Sequence, residues 1–239
     1  MAFNISQKLD FAANQVACLL VLWVLTIFGF KISGAHYNPA ISFAFMLRKD
    51  VGRFPRILGF AYMGAQIAGA FLGALLSWFL LVDDSIFKLP TSGLIYPNQK
   101  LDGSNSGFVF SNMIAEPLGA FFVTFFYLTQ TEEKTMFSKE KAINCFIIAS
   151  AYVGARGMLA GRTNCLAGQV LNPAISIGTS LTQWFAQGSV GIKYIWLFGL
   201  FPFGGALVGV LFHEFFYKKS QEVLESAEED EDNDTLLDK

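Results

Sequence analysis

The chain has 239 residues, 53% of them hydrophobic and 26 of them phenylalanine, with a mean hydropathy of +0.45. Soluble domains are about 45–50% apolar, so a soluble helical core is a poor account of this composition. The formal charge is −2, and no nucleic-acid partner is expected.

Residues 1–10 read as a short polar N-terminus, with no cleaved leader expected. Phe11–Phe30 then runs 20 residues without a charge, the length a spanning helix needs at about 1.5 Å per residue. Lys31–Phe45 reads KISGAHYNPAISFAF, where Asn-Pro-Ala opens an apolar stretch, Ala40–Leu47, too short to cross a bilayer. Ile57–Val82 is 26 uncharged residues, and Gly107–Gln130 is 24 residues with one charge, Glu116. Ala142–Ala155 is a fourth apolar run that continues past Arg156 to Gly161. Asn164–Ser180 reads NCLAGQVLNPAISIGTS and opens a second short stretch, Ala174–Trp184. Tyr194–His213 is again 20 uncharged residues. The pattern predicts an all-α polytopic membrane protein with five spans and two half-helices in residues 11–217. Residues 218–239 are expected to be an acidic, disordered tail: from residue 221 onward nine acids face Lys239, a local charge of −8.

Basic residues concentrate in cytoplasmic loops near helix ends. Ten lie between the first and second spans, between the third and fourth, and after the fifth (Lys31, Arg48, Lys49, Arg53, Arg56, Lys134, Lys139, Lys141, Lys218, Lys219). Six (Lys8, Lys88, Lys100, Arg156, Arg162, Lys193) fall on the other side. The tail is therefore expected in the cytoplasm and the N-terminus outside.

Asparagine is a favoured helix N-cap and proline a favoured first helical residue, so each Asn-Pro-Ala should start a half-helix. The repeat extends beyond it. Gly34 and Asn38-Pro39-Ala40-Ile41-Ser42 match Gly168 and Asn172-Pro173-Ala174-Ile175-Ser176, while Gly69-Ala70 and Gly73 match Gly205-Ala206 and Gly209. With an odd number of spans per repeat the halves are inverted, so the half-helices should meet N-terminus to N-terminus near the midplane. Each terminus carries about +0.5 of an elementary charge, which opposes cations. Asn38 and Asn172 would each offer amide hydrogens to a passing oxygen.

These residues resemble the aquaporin, or major intrinsic protein, family. The resemblance rests on SGAHYNPA (Ser33–Ala40), AYMGAQIAGA (Ala61–Ala70), AEPLGAFFVTF (Ala115–Phe125), LNPA (Leu171–Ala174) and WLFGLFPFGGALVG (Trp196–Gly209). It implies a bundle of six spans and two half-helices, a pore in each subunit of a homotetramer in a lipid bilayer, and passive passage of water or small neutral solutes such as glycerol. A plasma or vacuolar membrane is the expected location. No cofactor and no metal are implied.

The chain departs from the family pattern in three places. The family's opening span has no counterpart here. Ile175 stands where the family usually has an arginine after the second Asn-Pro-Ala, and the other filter positions, by resemblance, are Cys18, Ala155 and Gln169. Arg156 or Arg162 could supply an outer charge; the simpler reading places both at the lipid headgroups. The segment from Ala155 to Asn172 is longer than the family's.

By resemblance, Glu116 should accept hydrogen bonds from a re-entrant loop, and His36 should line the pore or fix the loop. His213 and Glu214 read as surface residues, and Cys18, Cys145 and Cys165 as thiols without metal-ligand spacing. No nucleophile–base pair, phosphate loop or metal cluster suggests an enzyme. The rival reading is a non-conducting or partner-dependent scaffold subunit with the same fold.

Overall fold

The computed structural model describes residues 11–48, 54–81, 106–160 and 169–237, all of them in helices or the turns between them. In chain order the helices are α1 (Phe11–Ser33), α2 (Pro39–Leu47), α3 (Arg56–Leu81), α4 (Ser106–Thr131), α5 (Lys141–Ala160), α6 (Pro173–Gln187), α7 (Ile195–Phe212) and α8 (Lys218–Leu237). Five of them are long and apolar enough to cross a bilayer: α1, α3, α4, α5 and the helix begun by α7. Helices 9 and 15 residues long, α2 and α6, are the expected half-helices. Both begin at the proline of Asn-Pro-Ala.

Side chains that face lipid need not be polar, because lipid tails are as apolar as leucine. Phe28 and Ile32 on α1, Ile57 and Phe79 on α3, and Leu200 on α7 all point outward. Association must then come from close packing of small residues. It does so where α4 meets α7: a Cβ on Gly205 would lie 2.0 Å from the Pro117 carbonyl oxygen, and one on Gly209 would lie 3.0 Å from Cβ of Thr124.

The half-helices pack across the repeat. Ala44 of α2 shares a buried cluster with Ala206 of α7, and Gly178 of α6 lies against the backbone of Ala70 in α3. By the sequence offsets, Ala44 corresponds to Gly178 and Ala70 to Ala206. Each half-helix is thus held by the last span of the other half, through the same pair of small residues.

Beyond α7 a π-helical turn, His213–Tyr217, leads into α8. The expected disordered tail is therefore helical as far as Leu237. Its start continues an existing helix, which removes the nucleation cost, and Lys218–Leu237 contains no proline or glycine to stop propagation.

At the same end of the bundle an ionic cluster joins four elements. Arg48, the C-cap of α2, donates from Nη2 to Glu132 Oε2 at 2.5 Å and from Nε to Glu214 Oε1 at 2.8 Å. Lys218 Nζ lies 2.9 Å from Glu132 Oε1. His213 and Glu214, expected at the surface, belong to this cluster, and His213 is fully buried. A cation at the C-terminal end of α2 also complements the helix dipole. Burial alone would raise the Glu132 pKa; Lys218, Arg48 and His213 together hold it below the usual glutamate value of 4.5.

Two predictions follow from this packing. Gly205→Ala lowers thermal stability in detergent, whereas Gly69→Ala, whose Cβ would meet nothing within 4 Å, is neutral or stabilising by up to about 1 kcal/mol; the reverse order would contradict the packing. For Glu132, a depressed folded pKa means that the stabilisation is complete above pH 4.5 and is lost as pH falls through the folded value. Glu132→Gln should therefore melt below wild type at pH 7, with the gap closing under acid, and a gap that is constant with pH would refute the ion-pair account.

Candidate functional site

The two Asn-Pro-Ala segments come together in the middle of the bundle. Asn38 and Asn172 both have extended backbones, with φ of −148° and −146°. Each caps its own helix: Asn38 Oδ1 accepts from Ala40 N at 2.9 Å, and Asn172 Oδ1 accepts from Ala174 N at 3.0 Å. Each also reaches into the other half. Asn38 Nδ2 donates to the Leu171 carbonyl at 2.9 Å, and Asn172 Nδ2 donates to the Tyr37 carbonyl at 2.9 Å.

The two carbonyls that receive these bonds are equivalent in the repeat and adopt the same unusual conformation. Tyr37 has φ +46° and Leu171 φ +53°. The left-handed region costs a non-glycine residue about 1 kcal/mol or more. Here it turns each carbonyl toward the opposite asparagine.

The loops that carry these strained residues are clamped by polar side chains from the spans. Glu116 on α4 is fully buried, and its two oxygens accept from Val170 N and Leu171 N at 2.8 Å each. Tyr152 on α5 donates to the Val170 carbonyl at 2.8 Å, and Tyr127 on α4 donates to the Gly34 carbonyl. Neither tyrosine was singled out in the sequence. The usable signal is that this chain prefers phenylalanine 26 to 7, so a tyrosine within a span is there for its hydroxyl. His36 is fixed in turn: its Nδ1 lies 3.1 Å from Ser42 Oγ, which also accepts from Gln66 Nε2 at 3.0 Å, and its ring sits among Phe45, Phe54, Tyr62 and Tyr127.

Between these elements lies a cavity of about 600 Å³. Asn38, Asn172, His36 and Gln66 give it a polar side, and Leu22, Ile41, Val123 and Ile175 an apolar one. Of the four filter positions, Ile175 lines this cavity. Cys18 is buried and its Sγ donates to Asn14 Oδ1 at 3.3 Å. Gln169 is buried beside α5, and Ala155 is packed in an apolar core with Leu171 and Tyr152 rather than facing the cavity.

Arg156 is not at the headgroups. It is 1% exposed, inside α5, and its Nε donates to the Gln169 carbonyl at 3.1 Å. Its helix brings it onto the outer loop from the side, a placement that counting loop residues could not anticipate. Arg162 and Cys165 lie outside the described residues. Glu132, His213 and Glu214 place potential metal-ligand atoms within 4.8 Å of one another, but Arg48 and Lys218 already neutralise both carboxylates.

Capped half-helices facing each other across a cavity, inside a bundle of spans, define a polytopic helical membrane protein built from two cross-packed halves. Residues 1–213 match the family described as "Major intrinsic protein", and the chain belongs to that family, whose members are passive channels rather than enzymes. It is 26% identical over 236 residues to the glycerol uptake facilitator protein of Bacillus subtilis, covering 90% of this chain and 75% of the relative. It is 27% identical over 218 residues to the probable aquaporin TIP1-1 of Oryza sativa subsp. japonica, covering 90% and 76%. The aquaglyceroporin of Plasmodium falciparum has a similar fold, with a TM-score of 0.70 at 19% identity over 90% of this chain and 86% of that one.

Glu116 provides a direct check of the loop geometry. Glu116→Leu strands two buried N–H groups, each at a cost of about 1–3 kcal/mol, so its unfolding free energy in detergent should fall by roughly 2–6 kcal/mol. Wild-type stability in this variant would mean that the carboxylate does not hold the loop.

Proposed function

We propose that the chain is a passive channel for water and for small neutral solutes of glycerol size. The observation that carries this reading is the cavity in which both capping asparagines stand, one from each half. An amide nitrogen has two hydrogens. One on each asparagine is committed to the opposite loop, and the other is directed to the permeant. A water that accepts from both asparagines must turn its own hydrogens along the path, so it cannot take a proton from the next water. The two helix N-termini add a positive potential at the same point, which disfavours hydronium and other cations.

The apolar side of the cavity supports the wider solute range. A polyol can place its hydroxyls toward Asn38, Asn172 and His36 and its carbon chain toward Leu22, Ile41 and Ile175. Ile175 leaves the position after the second Asn-Pro-Ala without a charge, which removes a barrier to solutes larger than water.

The channel is proposed to lie in a plasma or vacuolar membrane as a homotetramer, with its acidic C-terminal helix in the cytoplasm. The excess of basic loop residues on that side supports the orientation. It is larger once Arg156 is counted inside a span rather than in an outer loop.

Proteoliposomes carrying the chain should shrink faster than protein-free liposomes under a sucrose gradient and should re-swell in glycerol. No gain in either rate would leave the non-conducting scaffold as the better reading. Asn172→Asp should reduce water flux or admit cations, because a carboxylate cannot donate and its charge opposes the helix-end potential; unchanged water flux and unchanged ion conductance would remove this asparagine from the path.

A further inference from the structure

Among the described residues, Arg156 is the one lysine or arginine buried within a span. A cation at that depth costs about 2.5–3.5 kcal/mol even on the lowest insertion scales, and such residues usually mark a path or pair with an acid. Its position along α5 is informative. Ile148 and Tyr152 line the cavity, and Arg156 follows at the same four-residue spacing, so it continues that stripe one turn further out. On α1, Cys18 bears the same relation to the cavity-lining Leu22. Beyond the cavity, then, α1, α5 and the loop before α6 contribute Cys18, Arg156 and Gln169, all three buried. A path that continues outward there is narrow and carries one fixed positive charge.

The charge is also held in position. Arg156 Nε donates to the Gln169 carbonyl at 3.1 Å. Glu116, whose carboxylate holds the next two amides of the loop, is near enough for the two charges to interact. The guanidinium is therefore built into the loop that leads to the second half-helix.

We propose that Arg156 is the charge-selective residue of the outer path, supplying from α5 a fixed positive charge that excludes cations while neutral solutes pass. The inference rests on the channel reading and assigns selectivity to a residue that lies outside both Asn-Pro-Ala segments.

The test uses the full chain in liposomes, with water flux read by light scattering and proton and potassium leak read by entrapped dyes. Arg156→Gln keeps an amide donor for the Gln169 carbonyl and removes the charge. It should raise the ratio of cation leak to water flux by on the order of tenfold, the effect of removing one nearby charge in a partly screened site. Arg156→Lys should keep the wild-type ratio. The double variant Arg156→Gln with Ile175→Arg, which returns a charge to the cavity wall, should restore exclusion. A wild-type ratio in Arg156→Gln overturns the proposal and leaves Arg156 as a loop clamp. If Arg156→Gln does not assemble, the double variant decides: a leaky double variant, or one that also fails to assemble while Arg156→Lys is stable, counts against a role through charge. Absence of water flux in the wild-type chain overturns the channel reading itself, and this inference with it.

Discussion

Two hydrogen bonds that cross between the halves of the chain organise the centre of this molecule. Asn38 gives one to the Leu171 carbonyl and Asn172 gives the other to the Tyr37 carbonyl. Each asparagine does this while capping its own helix with its oxygen. The positive helix ends, which would repel one another if left bare, are thereby locked face to face. The same geometry leaves amide hydrogens at the narrowest polar point, so the interaction that fixes the fold also defines the chemistry of the path.

Irregular backbone at membrane depth survives only if its polar groups are met by protein or by a wet cavity. Around the crossing bonds, Glu116, Tyr152 and Tyr127 supply those partners from the spans. Further out, cohesion depends on close approach rather than on apolar burial, since the outer surface faces lipid. Gly205 against Pro117 and Gly178 against Ala70 mark the contacts where even a methyl group would collide. At one end, Arg48 draws α2, α4, α7 and α8 together through Glu132, Glu214 and Lys218.

Much of this was legible in the sequence because membrane physics writes long, regular signals. Uncharged runs gave the five spans to within a few residues, and Asn-Pro gave both half-helix starts, since capping chemistry is local. The small residues Gly69-Ala70 and Gly205-Ala206 were visible as a repeat, although only the structure shows that Ala70 and Ala206 each receive the opposite half-helix. The less legible features depend on contacts distant in sequence. Arg156 reads as a headgroup residue until the fold lays it on the Gln169 carbonyl. His213 and Glu214 read as surface residues until Arg48, 166 positions from Glu214, meets them. The helical tail was missed because its composition signals disorder, while its continuity with α7 favours helix.

The central claim is that the halves are coupled through the asparagine amides, and a double-mutant cycle in unfolding free energy tests it most directly. Asn38→Ser and Asn172→Ser each keep a capping oxygen and lose only the crossing donor. Each should cost about 1 kcal/mol. Because both bonds join the same two loops, the pair should depart from additivity by at least about 0.5 kcal/mol. Strict additivity, or no cost in either single variant, would contradict a structure held together at this crossing.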